Sequence, residues 1–165
     1  MRSRHLYMIA FCWLITLQSH AQSTAFKLLL DTFYDKEFPT ISPKGVSNLK
    51  NPLILDTREW NEFQTSHIKN AHYVGYNNFD ISTIQEKDKS RPIIVYCSIG
   101  VRSQDIGKKL QEAGYVNVYN LYGGIFHWVN EENTVYKDDQ PTKKVHAYNR
   151  AWGIWLNKGE KVYGD

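Results

Sequence analysis

Two short apolar runs, Pro52-Leu53-Ile54-Leu55-Asp56 and Pro92-Ile93-Ile94-Val95-Tyr96, constrain the fold of this chain more than any other feature. Neither alternates with polar residues, so each reads as a strand covered on both faces, and each is followed by residues that favour a helix. Further strand and helix signals alternate with these. The pattern predicts an α/β domain with a mainly parallel central sheet and helices on both faces. Sheets of that kind gather their sites at the carboxyl ends of the strands. Asp56 and Cys97 stand at two such ends, so they can share one crevice.

The remaining elements follow from local signals. Phe26 to Phe33 reads as an amphipathic helix, Thr40-Ile41 as a short strand, and Ser42 as the N-cap of a helix over Lys44 to Leu49 with Pro43 at its first position. A helix is expected over Arg58 to Gln64, a strand at His72 to Val74 and a helical turn at Ile81 to Lys87. The helix from Arg102 to Ala113 should end at Gly114, followed by a strand over Val116 to Leu121 and a helix over Ile125 to Asn130. Beyond Asn133, Tyr148, Trp152, Trp155 and Leu156 recur at helical spacing. These predict a terminal helix docked on the domain, with a partner-binding helix as the sharper alternative.

The chemistry concentrates in Cys97-Ser98-Ile99-Gly100-Val101-Arg102-Ser103, the turn between a buried strand and a helix. Backbone N–H groups of such a loop, together with the unpaired donors of a helix N-terminus, converge on the sulfur and stabilise negative charge there. Cys97 is the candidate nucleophile, and Ser98 to Ser103 form the candidate substrate cradle. Arg102 can attract an anion, with a surface salt bridge as the alternative, Gly100 supplies backbone freedom, Ser98 and Ser103 act through their amides, and Ser103 can also cap the helix. Asp56 and Arg58 are read as supporting residues, with Arg58 pairing with Glu59 or Glu62. The histidines are poor candidates for a catalytic base, and no Cys/His spacing points to a metal or other cofactor.

Arg2 and Arg4 precede an apolar stretch, Leu6 to Leu17, that is too short to span a bilayer, and Ser19-His20-Ala21 fits the small-x-small cleavage rule. Residues 1–21 therefore read as a signal peptide of an exported, periplasmic protein with no stable membrane anchoring, an uncleaved anchor being the competing reading. Removing them takes two of the 20 Lys and Arg and leaves 18 against 17 Asp and Glu. A charge so near balance argues against nucleic-acid binding. It also removes Cys12 and leaves Cys97 unpaired, which in an oxidising compartment marks a thiol worth attention. The expected organisation is then a 22–40 helical extension, a 41–132 domain and a 133–165 aromatic extension.

Four motifs in order carry a resemblance: Ile41-Ser42-Pro43, Leu55-Asp56-Thr57-Arg58-Glu59 with Glu62-Phe63 and His67-Ile68, the Cys97 to Ser103 loop, and Gly123-Gly124-Ile125-Phe126-His127-Trp128. From about Ile41 to Asn130 the chain resembles a single-domain rhodanese, a thiosulfate sulfurtransferase. The resemblance implies that Cys97 takes sulfane sulfur from a small anionic donor such as thiosulfate, holds it as a persulfide and passes it to cyanide, a thiol or a protein acceptor. One departure is Ser66-His67-Ile68-Lys69-Asn70-Ala71, where the family commonly has Gly-His-Ile-x-Gly-Ala; the turn is expected to survive because Asn tolerates left-handed backbone. Two other functions compete. A cysteine phosphatase needs one more residue between cysteine and arginine than the four found here, and a non-turnover persulfide carrier or binding module would keep the loop without fast release.

Overall fold

A computed structural model of the chain describes residues 24–164. The expected signal peptide lies outside these residues. Helix α1 (24–33) belongs to one compact unit, and Tyr34 begins a second that holds everything described below. No described helix is long and apolar enough to cross a membrane.

The second unit is built on five parallel strands: β1 (Thr40–Ile41), β2 (Leu53–Asp56), β3 (His72–Tyr73), β4 (Ile93–Tyr96) and β5 (Val118–Leu121). Their spatial order is β1-β5-β4-β2-β3, which places the two apolar runs side by side at the centre. The predicted fold class is thus the observed one. Side chains of β4 alternate between faces. Ile93 and Val95 join Leu55, Val118 and Phe38 in a buried cluster with Ile106 and Leu110 of the helix that follows the loop and Tyr115 just beyond its end. Tyr96 points the other way, its hydroxyl accepting the Ile68 N–H at 3.1 Å.

That helix, α4 (Val101–Glu112), is the longest of those following β1. The others are α2 (Pro43–Val46), α3 (Trp60–Thr65) and α5 (Gly124–Asn130), with a 3₁₀ turn at Ile81–Thr83. Ser42 caps α2 as expected, its hydroxyl accepting the Gly45 N–H at 3.1 Å. Asn70 takes φ of 60°, and the Ala71 N–H closes on the Ile68 carbonyl at 3.0 Å, so the turn that lost its glycines is retained.

The tail departs from its expected form. Tyr148, Trp152, Trp155 and Leu156 do not share one helix. Strands β6 (Val135–Lys137) and β7 (Gln140–Thr142) form a hairpin, and β8 (Lys144–His146) pairs in parallel with β9 (Glu160–Val162) around the single turn of α6 (Arg150–Gly153). Asn149 caps that turn by accepting the Trp152 N–H, which gives the aromatic spacing a local helical start that the β8–β9 crossover then ends. Val135, Val145, Ala147 and Leu156 are buried hydrophobic residues of this segment and His146 is buried with them, whereas Tyr148 is exposed.

Candidate active site

Register fixes the first relation within the site. Asp56 ends β2 opposite Tyr96, which ends β4 one residue before Cys97. The Thr57 N–H and hydroxyl both donate to the Tyr96 carbonyl, so the two strand ends are tied together.

Cys97 is buried, with 1% of its surface exposed, and is the one cysteine among the described residues. The chain then doubles back through Gly100, which takes φ of 96° and stands at the N-cap of α4. This fold-back brings the Gly100 N–H to 3.1 Å from Cys97 Sγ. A Cβ at Gly100 would lie 1.8 Å from Tyr34 Oη, so side-chain space as well as backbone conformation demands glycine. The first-turn amides of α4 have no intrahelical acceptor, and they begin at Val101, directly after this contact.

The loop carbonyls are engaged on other sides. Cys97 O accepts the Ile125 N–H at 2.9 Å and Ser98 O accepts the Phe126 N–H at 3.1 Å. Ile99 O accepts the Tyr34 hydroxyl at 2.6 Å, and Gly100 O accepts the Asn120 amide at 2.8 Å. Gly124 permits the α5 contacts: a Cβ there would sit 2.4 Å from Cys97 O. Tyr34 also accepts the Gly123 N–H at 3.0 Å, and burial raises its phenol well above the ordinary range. With four carbonyls occupied, the loop can offer its amides to the sulfur.

Arg102 is placed differently from the sequence reading. Its Nη1 and Nη2 donate to the two Glu62 oxygens at 2.8 and 3.0 Å, and Nη2 also reaches Ser98 Oγ at 3.1 Å. Ser98 Oγ itself donates to Glu62 Oε1, and the Glu59 N–H to Oε2. Glu62 is therefore ringed by four donors. Burial acts to raise its carboxyl, but Arg102, with Arg58 and the Glu59 amide assisting, holds it below the ordinary carboxylate value. Burial opposes the charge on Arg102, and the Glu62 bonds and the nearby Cys97 sulfur more than offset this, keeping the guanidinium charged. An incoming anion meets an arginine whose charge is already matched.

Glu62 was foreseen only as a possible partner of Arg58. A local signal exists for one of its bonds alone: at N3, in the first turn of α3, its carboxylate accepts the Glu59 backbone N–H, and nothing local marks the contact with Arg102. Arg58 instead pairs with Asp56: Nη2 meets Oδ2 at 2.6 Å, Nε meets Oδ1 at 3.0 Å, and both side chains are fully buried. Its Nη2 also donates to Ser66 O at 2.6 Å, while Nη1 finds no hydrogen-bond partner among the described residues. Ser103 lies inside α4 and does not cap it; its hydroxyl donates to Asn120 Oδ1 at 2.7 Å. Among the described residues no cluster of His, Cys, Asp and Glu could hold a metal ion.

A parallel α/β sheet with a cysteine loop over the N-terminus of a long helix defines the class of protein. Residues 43–131 match the model of the rhodanese-like domain, so the chain belongs to that family. It is 33% identical over 76 residues to a thiosulfate sulfurtransferase, GlpE, of Coxiella burnetii, covering 46% of this chain and 70% of the relative. It is also 28% identical over 128 residues to a tRNA uridine(34) hydroxylase of Buchnera aphidicola, covering 72% of this chain but 41% of that protein. Among solved structures, a rhodanese-related protein from Thermoplasma volcanium superposes with a TM-score of 0.54 at 27% identity, over 60% of this chain and 98% of the other.

Proposed function

We propose that this protein is a sulfurtransferase that moves sulfane sulfur through a persulfide on Cys97. The observation that carries the reading is the Gly100 N–H directed at Cys97 Sγ at the N-terminus of α4. In the first step the thiolate attacks the outer sulfur of thiosulfate; the bond between the two thiosulfate sulfurs breaks and its electron pair leaves with sulfite. The outer sulfur remains on Cys97 as a perthiolate, whose negative charge the loop amides can receive. In the second step cyanide attacks that sulfur and leaves as thiocyanate, or a thiol acceptor takes it, and the Cys97 thiolate returns. Neither step needs a general base once the thiol is ionised. Donor capture in this reading rests on amides and not on a free Arg102 charge. The four-residue gap and the engaged guanidinium both count against phosphate chemistry.

Intact-mass spectrometry tests the reading. Thiosulfate should add one sulfur atom to the wild-type protein and none to a folded Cys97→Ser variant, and cyanide should remove it. A persulfide that forms and resists cyanide would favour a carrier, and no addition from any sulfane donor would refute both. The exported location is part of the same proposal; N-terminal sequencing of protein recovered from the periplasm should begin at Gln22.

A further inference from the structure

The tail beyond the family match reaches the cysteine loop through one residue. The Tyr148 ring lies 5.0 Å from Arg102 Cζ, within cation–π range, while Glu62 holds the edge of the same guanidinium. Tyr148 takes φ of 62°, a left-handed conformation that bulky residues seldom adopt. Its backbone is held there. The Tyr148 N–H donates to His146 Nδ1 at 3.1 Å, and His146 Nε2 lies 2.8 Å from Gly164 O. Gly164 O also accepts from Asn61 Nδ2 at 3.2 Å, and Asn61 precedes Glu62 on α3. One short helix thus anchors both the carboxylate on the edge of Arg102 and the strap that lays an aromatic ring over it.

We propose that Tyr148 is a positioning residue for sulfur transfer: stacked on Arg102, it fixes the guanidinium that donates to Ser98 Oγ and so holds the loop that cradles the transferred sulfur. This rests on the reading of Cys97 as the sulfur acceptor. A loop that is already ordered needs no reorganisation as charge develops on the outer sulfur, so the effect should fall on the rate of sulfur capture. Donor binding at the amides should change less.

Single-turnover sulfite release from thiosulfate, measured on the full chain, tests this. Wild type is measured first, and failure to release sulfite would overturn the transfer reading itself. Given wild-type activity, Tyr148→Leu should slow the step roughly three- to tenfold, the range of a cation–π contact. Its KM for thiosulfate should change less, and its melting temperature should match that of Tyr148→Phe. Tyr148→Phe keeps the ring face and should restore the rate. In an Arg102→Gln background Tyr148→Leu should have no further effect. A Leu variant as fast as wild type, a Phe variant as slow as Leu, or an undiminished effect without Arg102 would each overturn the proposal.

Discussion

Two guanidinium–carboxylate pairs flank the cysteine loop, and they differ in what they hold. Asp56–Arg58 is wholly buried, joins residues two apart, and locks the end of β2 to the Ser66 turn. Glu62–Arg102 keeps 17% of the arginine side chain exposed, joins residues forty apart, and bonds Ser98 within the loop itself. The comparison separates a brace from a positioner. A sealed pair can hold a scaffold but cannot meet a ligand, whereas a pair at the edge of the loop can transmit order to the loop that carries Cys97.

The largest expected effect is on the sealed pair. Arg58→Met leaves Asp56 buried without its counter-charge and should cost about 3–5 kcal/mol of stability by urea unfolding. Combining it with Asp56→Asn should recover much of that loss, since the uncompensated charge is then gone. If the single variant unfolds like wild type, the brace reading fails. Arg102→Gln should cost less, about 1–2 kcal/mol, because Ser98 and the Glu59 amide still satisfy Glu62. Its sulfite release from thiosulfate should nevertheless slow more than that of the stability-restored Asp56/Arg58 double variant. The reverse ranking would break the contrast.

A smaller effect concerns acid. The Glu62 carboxyl lies below its ordinary value of 4.5 in the folded protein, so its contribution is present above that pH and lost as pH falls through the lower folded value. The melting temperature of wild type should therefore drop more steeply below about pH 4.5 than that of Glu62→Gln, which cannot titrate. Parallel curves would place the acid sensitivity elsewhere. Smallest of all is the exposed pair Lys108–Asp35, with side chains 44% and 38% exposed. Lys108→Ala should leave both melting temperature and transfer rate unchanged within scatter.

The same contrast explains what the sequence could reveal. The strand, loop and helix around Cys97 are contiguous, so apolar run, glycine and helix start announce the candidate nucleophile and its cradle without long-range information. Asp56 and Arg58 are legible as a strand-end cluster, but sequence proximity does not single out Asp56 as the partner of Arg58, because Glu59 and Glu62 are also near. Tyr34, Glu62 and Asn120 reach the loop only after the sheet has assembled, through contacts with Ile99, Arg102 and Ser103 that no local pattern encodes. The tail failed for a related reason. Helical spacing from Tyr148 to Leu156 is a local signal, whereas the pairing of β8 with β9 spans the whole segment and overrides it.

Burial of Cys97 carries a consequence for how the protein would be seen from outside. With 1% of its surface exposed, the resting thiol is shielded from bulky reagents and from chance oxidation. A second sulfur on Sγ would carry the reactive atom about 2 Å further along the chain of bonds. In the proposed cycle that outer sulfur, and not Sγ, is the atom an acceptor has to reach. Alkylating agents of graded size should accordingly distinguish the two forms, labelling loaded protein while sparing empty protein.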